Sequence, residues 1–184
     1  MGNLDQLKAV TFDVFGTVVD WRSSIAREIN LLADEKEVSI DGAEFASAWR
    51  SLYQPSMSKV RSGEIPFQPL DALHRNNLNT VLEQYDIDQL SELEKVHLNR
   101  VWHRLDPWPD VIEGLVRLKE RYIIGTLSNG NISLIVNMAK HSGLPWDVVL
   151  GAEVAGHYKP CPEAYLGSAK KLDLPPHQCM LVAA

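Results

Sequence analysis

Cysteine is scarce in this chain: two in 184 residues, Cys161 and Cys179, with no Cys-x-x-Cys and no zinc-like Cys/His spacing. That excludes a disulfide scaffold or a zinc finger and suits reduced thiols in a cytoplasmic protein. No run of 18 apolar residues exists, so no membrane span is expected. Basic clusters are missing too: the longest run is Lys170-Lys171, and 18 Lys and Arg against 24 Asp and Glu leave a net charge of −6. Nucleic-acid binding wants a basic face, and none is written here. The opening has Asp5 where a signal peptide would be basic, and Gln6 where a myristoylation signal has Ser or Thr. Internal repeats and low-complexity stretches are absent as well.

What is present is an ordinary globular composition, 45% hydrophobic and 23% charged, enough to bury one sizeable core. Four short apolar runs read as buried strands: residues 8–15 (KAVTFDVF), 122–127 (YIIGTL), 148–152 (VVLGA) and 179–184 (CMLVAA). Between the later runs lie helical patterns. Val111, Leu115 and Leu118 follow Pro109; Ile132, Ile135, Val136 and Ala139 precede Gly143; a third helix follows Pro162. Strands alternating with helices predict an α/β fold with a Rossmann-like parallel sheet.

Residues 21–107 break that rhythm with helical stripes only. Ile25, Ile29 and Leu32 form one; Phe45, Trp49 and Leu52 another; Leu70, Leu73, Leu78 and Val81 a third. Ser91-Glu92-Leu93-Glu94 is a capping box opening a fourth helix. The stretch is far too long for one crossover helix. It predicts an all-helical cap at 21–107, inserted after strand one, with the core built from 1–20 and 108–184. Asp106-Pro107-Trp108-Pro109 is the expected return hinge. The chain stops on an apolar run at Ala183-Ala184, which suggests a truncated C-terminus.

Three places could carry chemistry. Asp13 stands just past the apolar part of strand one, where open α/β sheets bind ligands, although an Asp there can also simply turn the chain. Gly16 permits a tight loop beyond it and Thr17 adds a hydroxyl. Ser128-Asn129-Gly130 follows the second strand and could cradle an anion, or be an ordinary turn with Asn131 as helix N-cap. Lys159, held in Lys159-Pro160-Cys161-Pro162, is a surface charge unless it meets Asp13, whose carboxylate it would then offset. Trp49 and Trp102 read as core of the helical segment, Phe67 as a lesser candidate for lining a pocket. Of six histidines only His157, near Lys159, invites suspicion.

In this order the three elements resemble the haloacid dehalogenase superfamily, whose aspartate attacks the substrate and forms a covalent intermediate. Asp13, Gly16 and Thr17 match its first motif, Ser128 its second and Lys159 its third. The superfamily's phosphatases carry a second Asp two residues after the nucleophile, to protonate the leaving group. Phe15 stands there instead, which resembles the (S)-2-haloacid dehalogenases, since a departing halide needs no proton. Trp49-Arg50 and Tyr165 match further features of that subfamily.

The resemblance implies hydrolysis of short 2-haloalkanoic acids to 2-hydroxy acids through an aspartyl ester, with no metal or cofactor. Its partners would be the small 2-haloacid and water, and it implies a homodimer. Asp13 is the implied nucleophile and Lys159 would hold it anionic. Thr17 and Ser128 would orient the carboxylate or the substrate. Phe15, Arg50, Asn129 and Tyr165 would contact substrate or halide. The family's fourth motif, where the water-activating residue is expected, lies past Ala184. Ala183-Ala184 stand where relatives have a serine, and Ser51 where they often have Gln. Two other readings stay open: a Mg²⁺-dependent phosphatase that tolerates Phe15, and a non-catalytic protein that binds a small carboxylate.

Overall fold

The four apolar runs become strands β1 (Ala9–Phe12), β2 (Ile123–Ser128), β3 (Val148–Gly151) and β4 (Cys179–Val182) in the computed structural model, which describes residues 4–184. Residues 1–3, with part of the myristoylation reading, lie outside the described residues. All pairings are parallel, in the order β3-β2-β1-β4. β1 is central and buried throughout. The first strand is shorter than its apolar run because the chain turns sharply after Phe12.

The strand order reverses at β1: β2 and β3 step off to one side and β4 to the other. Ligands of open α/β sheets bind outside the carboxyl ends of the strands at such a reversal. The register sets Phe12 opposite both Thr126 and Val182, and Ser128 opposite Gly151. Asp13 and Ser128 therefore emerge at the same edge. The sheet is flanked by α6 (Val111–Lys119), α7 (Ile132–Ser142), the single turn α8 (Ala152–Ala155) and α9 (Pro162–Lys171). Gly143 closes α7 in the left-handed conformation, as its position after the apolar stripe predicts.

Between β1 and β2 the chain is helical: α1 (Trp21–Lys36), α2 (Gly42–Ser51), α3 (Tyr53–Arg61), α4 (Leu70–Gln84), α5 (Glu92–Asn99) and a 3₁₀ turn over Arg100–His103. The caps are local and legible. Asp20 accepts from Ser23 N–H, Asp41 from Ala43 and Glu44 N–H, and the Ser91–Glu94 capping box is formed. Outgoing and returning chains run side by side: Asp20 N–H donates to Asp106 O at 2.9 Å, and Trp108 N–H to Val18 O at 3.0 Å. One continuous apolar core joins Val10 and Phe12 of the sheet, Phe15 and Val18 of the turn, and Trp49, Met57 and Trp102 of the helical segment. Among the described residues no helix is long and apolar enough to cross a membrane.

Gly151 ends β3 hard against its neighbour. At φ +139° a side chain is already strained, and a Cβ would strike the Ser128 backbone carbonyl, with Ser128 N at 2.7 Å. Gly151→Ala is therefore expected to destabilise the protein by about 2–3 kcal/mol, measured by urea denaturation. An unchanged midpoint would contradict the close β2–β3 approach at this point.

Candidate active site

Asp13 leaves β1 with its backbone N–H donating to Val182 O at 2.9 Å, so strand pairing fixes where its side chain stands above the sheet. The chain then folds back at once. Val18 and Val19 N–H both donate to Val14 O, Gly16 N–H donates to Val19 O, and Gly16 takes φ +96°. The turn buries Phe15 in the apolar interior and leaves Asp13 half-buried above the sheet edge.

Lys159, from the loop before α9, donates from Nζ to Asp13 Oδ1 at 2.7 Å, with the two side chains only 13% and 22% exposed. Removing either partner of a pair so shielded leaves the other charge stranded, unlike a screened surface pair. Among the described residues Asp13 Oδ2 makes no hydrogen bond. Lys159 is itself fixed: its N–H donates to Asn129 Oδ1 at 2.8 Å, and its carbonyl accepts from Arg61 Nη1 at 3.3 Å. Asn129 Nδ2 in turn donates to Met57 Sδ at 3.3 Å. Two residues of α3 thus hold the lysine loop from the helical side.

The two hydroxyls do other work than orienting the carboxylate. Buried Ser128 Oγ accepts from Gly130 N–H at 3.1 Å and so shapes its own loop. Thr17 Oγ1 accepts from Ala184 N–H at 2.9 Å, tying the turn after β1 to the segment beyond β4. Neither bonds to Asp13.

Arg50, on α2, lies over the ring of Tyr53 at 3.8 Å from the centroid, with Trp21 at 5.5 Å and Phe15 at 5.9 Å. Aromatic faces favour a cation, yet its Nη1 is buried with no hydrogen-bond acceptor among the described residues. A desolvated cationic donor of this kind fits an anion. Burial pushes the Tyr53 phenol above its ordinary range against the pull of Arg50, and its hydroxyl also interacts with Asn129. It remains a protonated donor.

The remaining candidates separate. Half-buried Tyr165 on α9 makes no hydrogen bond or ring contact among the described residues, so no such bond ties it to this cluster. Exposed His157 turns its Nδ1 to Ala155 O at 2.9 Å. Phe67 packs on Tyr158, whose hydroxyl donates to Gln68 O. Trp49 and Trp102 are core, Trp49 Nε1 donating to His74 O at 3.0 Å.

A haloacid dehalogenase-like hydrolase family model matches residues 7–182. The chain belongs to the haloacid dehalogenase-like hydrolases. It is 28% identical over 184 residues to (S)-2-haloacid dehalogenase 4A of Burkholderia cepacia, covering 98% of this chain and 76% of that protein. It superposes on the defluorinating L-2-haloacid dehalogenase Rha0230 with a TM-score of 0.94 and 48% identity, over 96% of this chain and 73% of that one. For L-2-haloacid dehalogenase PA0810 the values are 0.92 and 44%, over 96% and 76%.

In this hydrolase a second polar cluster, unmarked by any motif, clamps the loop after β2. Asn131 occupies the N-cap position of α7 but caps nothing with its side chain. Its Nδ2 donates instead to Asp71 Oδ2 at 2.9 Å, and its Oδ1 accepts from Asp71 N–H at 3.2 Å. His103 Nε2 lies 3.0 and 3.1 Å from the two Asp71 oxygens, and Asn137 Nδ2 stands 2.9 Å from its Nδ1. Burial opposes the charge on Asp71, but the bonds from His103 and Asn131 outweigh it and hold the carboxyl below its ordinary range.

A carboxyl depressed on folding contributes its full stability above its ordinary value near 3.8 and loses it as pH falls from there through its lower folded value. Asp71→Asn is expected to cost about 1–3 kcal/mol at pH 7. The gap to the unmutated protein should narrow between pH 5 and pH 3, followed by denaturant unfolding, on the scale of about one or two pH units that such linkage spans. A gap that widens on acidification would contradict the charged clamp.

Proposed function

We propose that the protein hydrolyses the carbon–halogen bond of short 2-haloalkanoic acids through an ester on Asp13, without a metal. The observation that carries this reading is the neighbourhood of Phe15. Two residues past Asp13 stands a ring that can neither give nor take a proton, and against it lies Arg50 with a buried, unpartnered donor. Such a site suits a leaving group that departs as a small anion and needs a fixed positive charge, not a proton.

Lys159 holds Oδ1, so Oδ2 is the free oxygen for attack on the carbon bearing the halogen. The new carbon–oxygen bond forms as the carbon–halogen pair leaves with the halide beside Arg50. Water then adds at the ester carbonyl carbon, the 2-hydroxy acid departs, and one proton is released to solvent as Asp13 regains its carboxylate. Tyr53 and Asn129, in contact with each other, stand between the two cations and would position the substrate. The helical segment acts as a lid that keeps water from competing with displacement. Relatives named (S)- or L-2-haloacid dehalogenases point to the S enantiomer as the one turned over, and one named as defluorinating makes fluoroacetate worth including.

Halide release from chloroacetate, fluoroacetate and each enantiomer of 2-chloropropionate, in EDTA, tests the reading. Chloride should appear from the S enantiomer, and Asp13→Asn should lower the rate at least about 10³-fold. Phosphate release from p-nitrophenyl phosphate with Mg²⁺, and no halide, would replace it with a phosphatase. No turnover of either class by folded protein would also overturn it, in favour of carboxylate binding.

A further inference from the structure

Seven buried side-chain polar atoms lack a hydrogen-bond partner among the described residues, and four of them belong to three side chains that neighbour one ring. They are Arg50 Nη1, both ring nitrogens of His74, and Trp102 Nε1. Phe15 is the common neighbour: its ring lies 5.9 Å from the Arg50 guanidinium, 6.3 Å from His74 and 5.7 Å from Trp102. His74 and Trp102 are 1% and 0% exposed and stack at 4.2 Å with their planes 21° apart. Buried donors are nearly always satisfied, and a set left open in one place points to something that fills it.

We propose that His74 and Trp102 complete, with Arg50, a dry pocket for a small monoanion beside Phe15, filled by the leaving halide. The identity of that anion rests on the dehalogenase reading; the pocket itself does not. Burial lowers the His74 imidazole to about 3, with Arg50 and His103 pushing the same way and Asp71 opposing. His74 is therefore neutral at physiological pH, with one ring nitrogen an N–H donor and the other an acceptor, so the open donors are Arg50 Nη1, one His74 nitrogen and Trp102 Nε1. A neutral donor adds hydrogen bonding without adding a second positive charge beside Arg50. Its indole neighbour offers an N–H and no acceptor, which also suits an anion. A substrate carboxylate presents the same chemistry as a halide, so the test separates the two.

The alternative is that His74 and Trp102 are aromatic filling and nothing more. His74→Phe and Trp102→Phe keep a flat ring and remove the donors. Unliganded His74→Phe should fold at least as stably as the unmutated protein, because it deletes buried polar atoms that nothing satisfies. At constant ionic strength, bromide and acetate are titrated against the thermal midpoint of both variants and the unmutated protein. Turnover of 2-chloropropionate is followed in parallel.

The expected result is saturable stabilisation by bromide, weakened about tenfold or more in each variant, with acetate little changed. Weakened acetate binding with unchanged bromide would assign the pocket to the carboxylate and overturn the halide assignment. Unchanged binding of both anions would overturn the pocket while leaving turnover, and so the dehalogenase reading, intact. Bromide binding that depends on His74 in a protein that never releases halide would do the reverse. Should one variant fail to fold, the other decides.

Discussion

The site depends on one ion pair, Lys159 to Asp13, formed between residues 146 positions apart. A carboxylate cannot stand alone in a half-closed cleft, because its lost hydration must be replaced by a fixed partner. The fold supplies that partner at the end of a rigid chain. β1 sets the aspartate, pairing with β2 sets the loop that holds Asn129, and Asn129 receives the lysine backbone at 2.8 Å. The lysine is thus positioned through its main chain, which leaves its ammonium free to meet the carboxylate.

A charge balance follows. Asp13 with Lys159 and Arg50 sums to one net positive charge in the cleft, which matches a substrate bearing one carboxylate. On the proposed route the aspartate becomes a neutral ester after displacement, and two cations then face two anions, the carboxylate of the esterified acid and the halide. No step requires an uncompensated buried charge, so the same two side chains serve ground state and intermediate. Arg50 comes from the helical segment and Lys159 from the sheet side, and Met57, Arg61, Asp71 and Asn131 bond the two together.

Much of this is legible in the chain. The short β-branched runs mark the strands because a central parallel strand must be apolar on both faces, and Ser91 marks a helix start because its oxygen satisfies an orphan N–H group. Helix α3 is harder to see: Pro55 interrupts the reading, and Tyr53, Met57 and Val60 are separated by polar residues. Yet proline is at home in a helix's first turn, where its missing N–H is not needed. The tyrosine beside the cations illustrates the limit. Tyr165 stands out only through the family resemblance, while Tyr53, three residues after Arg50, is the one the fold lays against the guanidinium. The clamp of Asp71, His103 and Asn131 has no sequence signature, because its members lie on separate elements and meet only through tertiary packing. Buried His74 likewise carries no sequence signature, since a histidine on an apolar helical face looks like any other core residue.

The most direct measurement is the mass of the peptide containing Asp13, taken after acid quenching of the protein mixed with excess (S)-2-chloropropionate. The ester predicts that this peptide gains the mass of the propionate unit, that the gain maps to Asp13, and that it is absent in Asp13→Asn. Halide accumulating while the Asp13 peptide stays unmodified at every quench time, including within the first turnover, would contradict nucleophilic attack by Asp13.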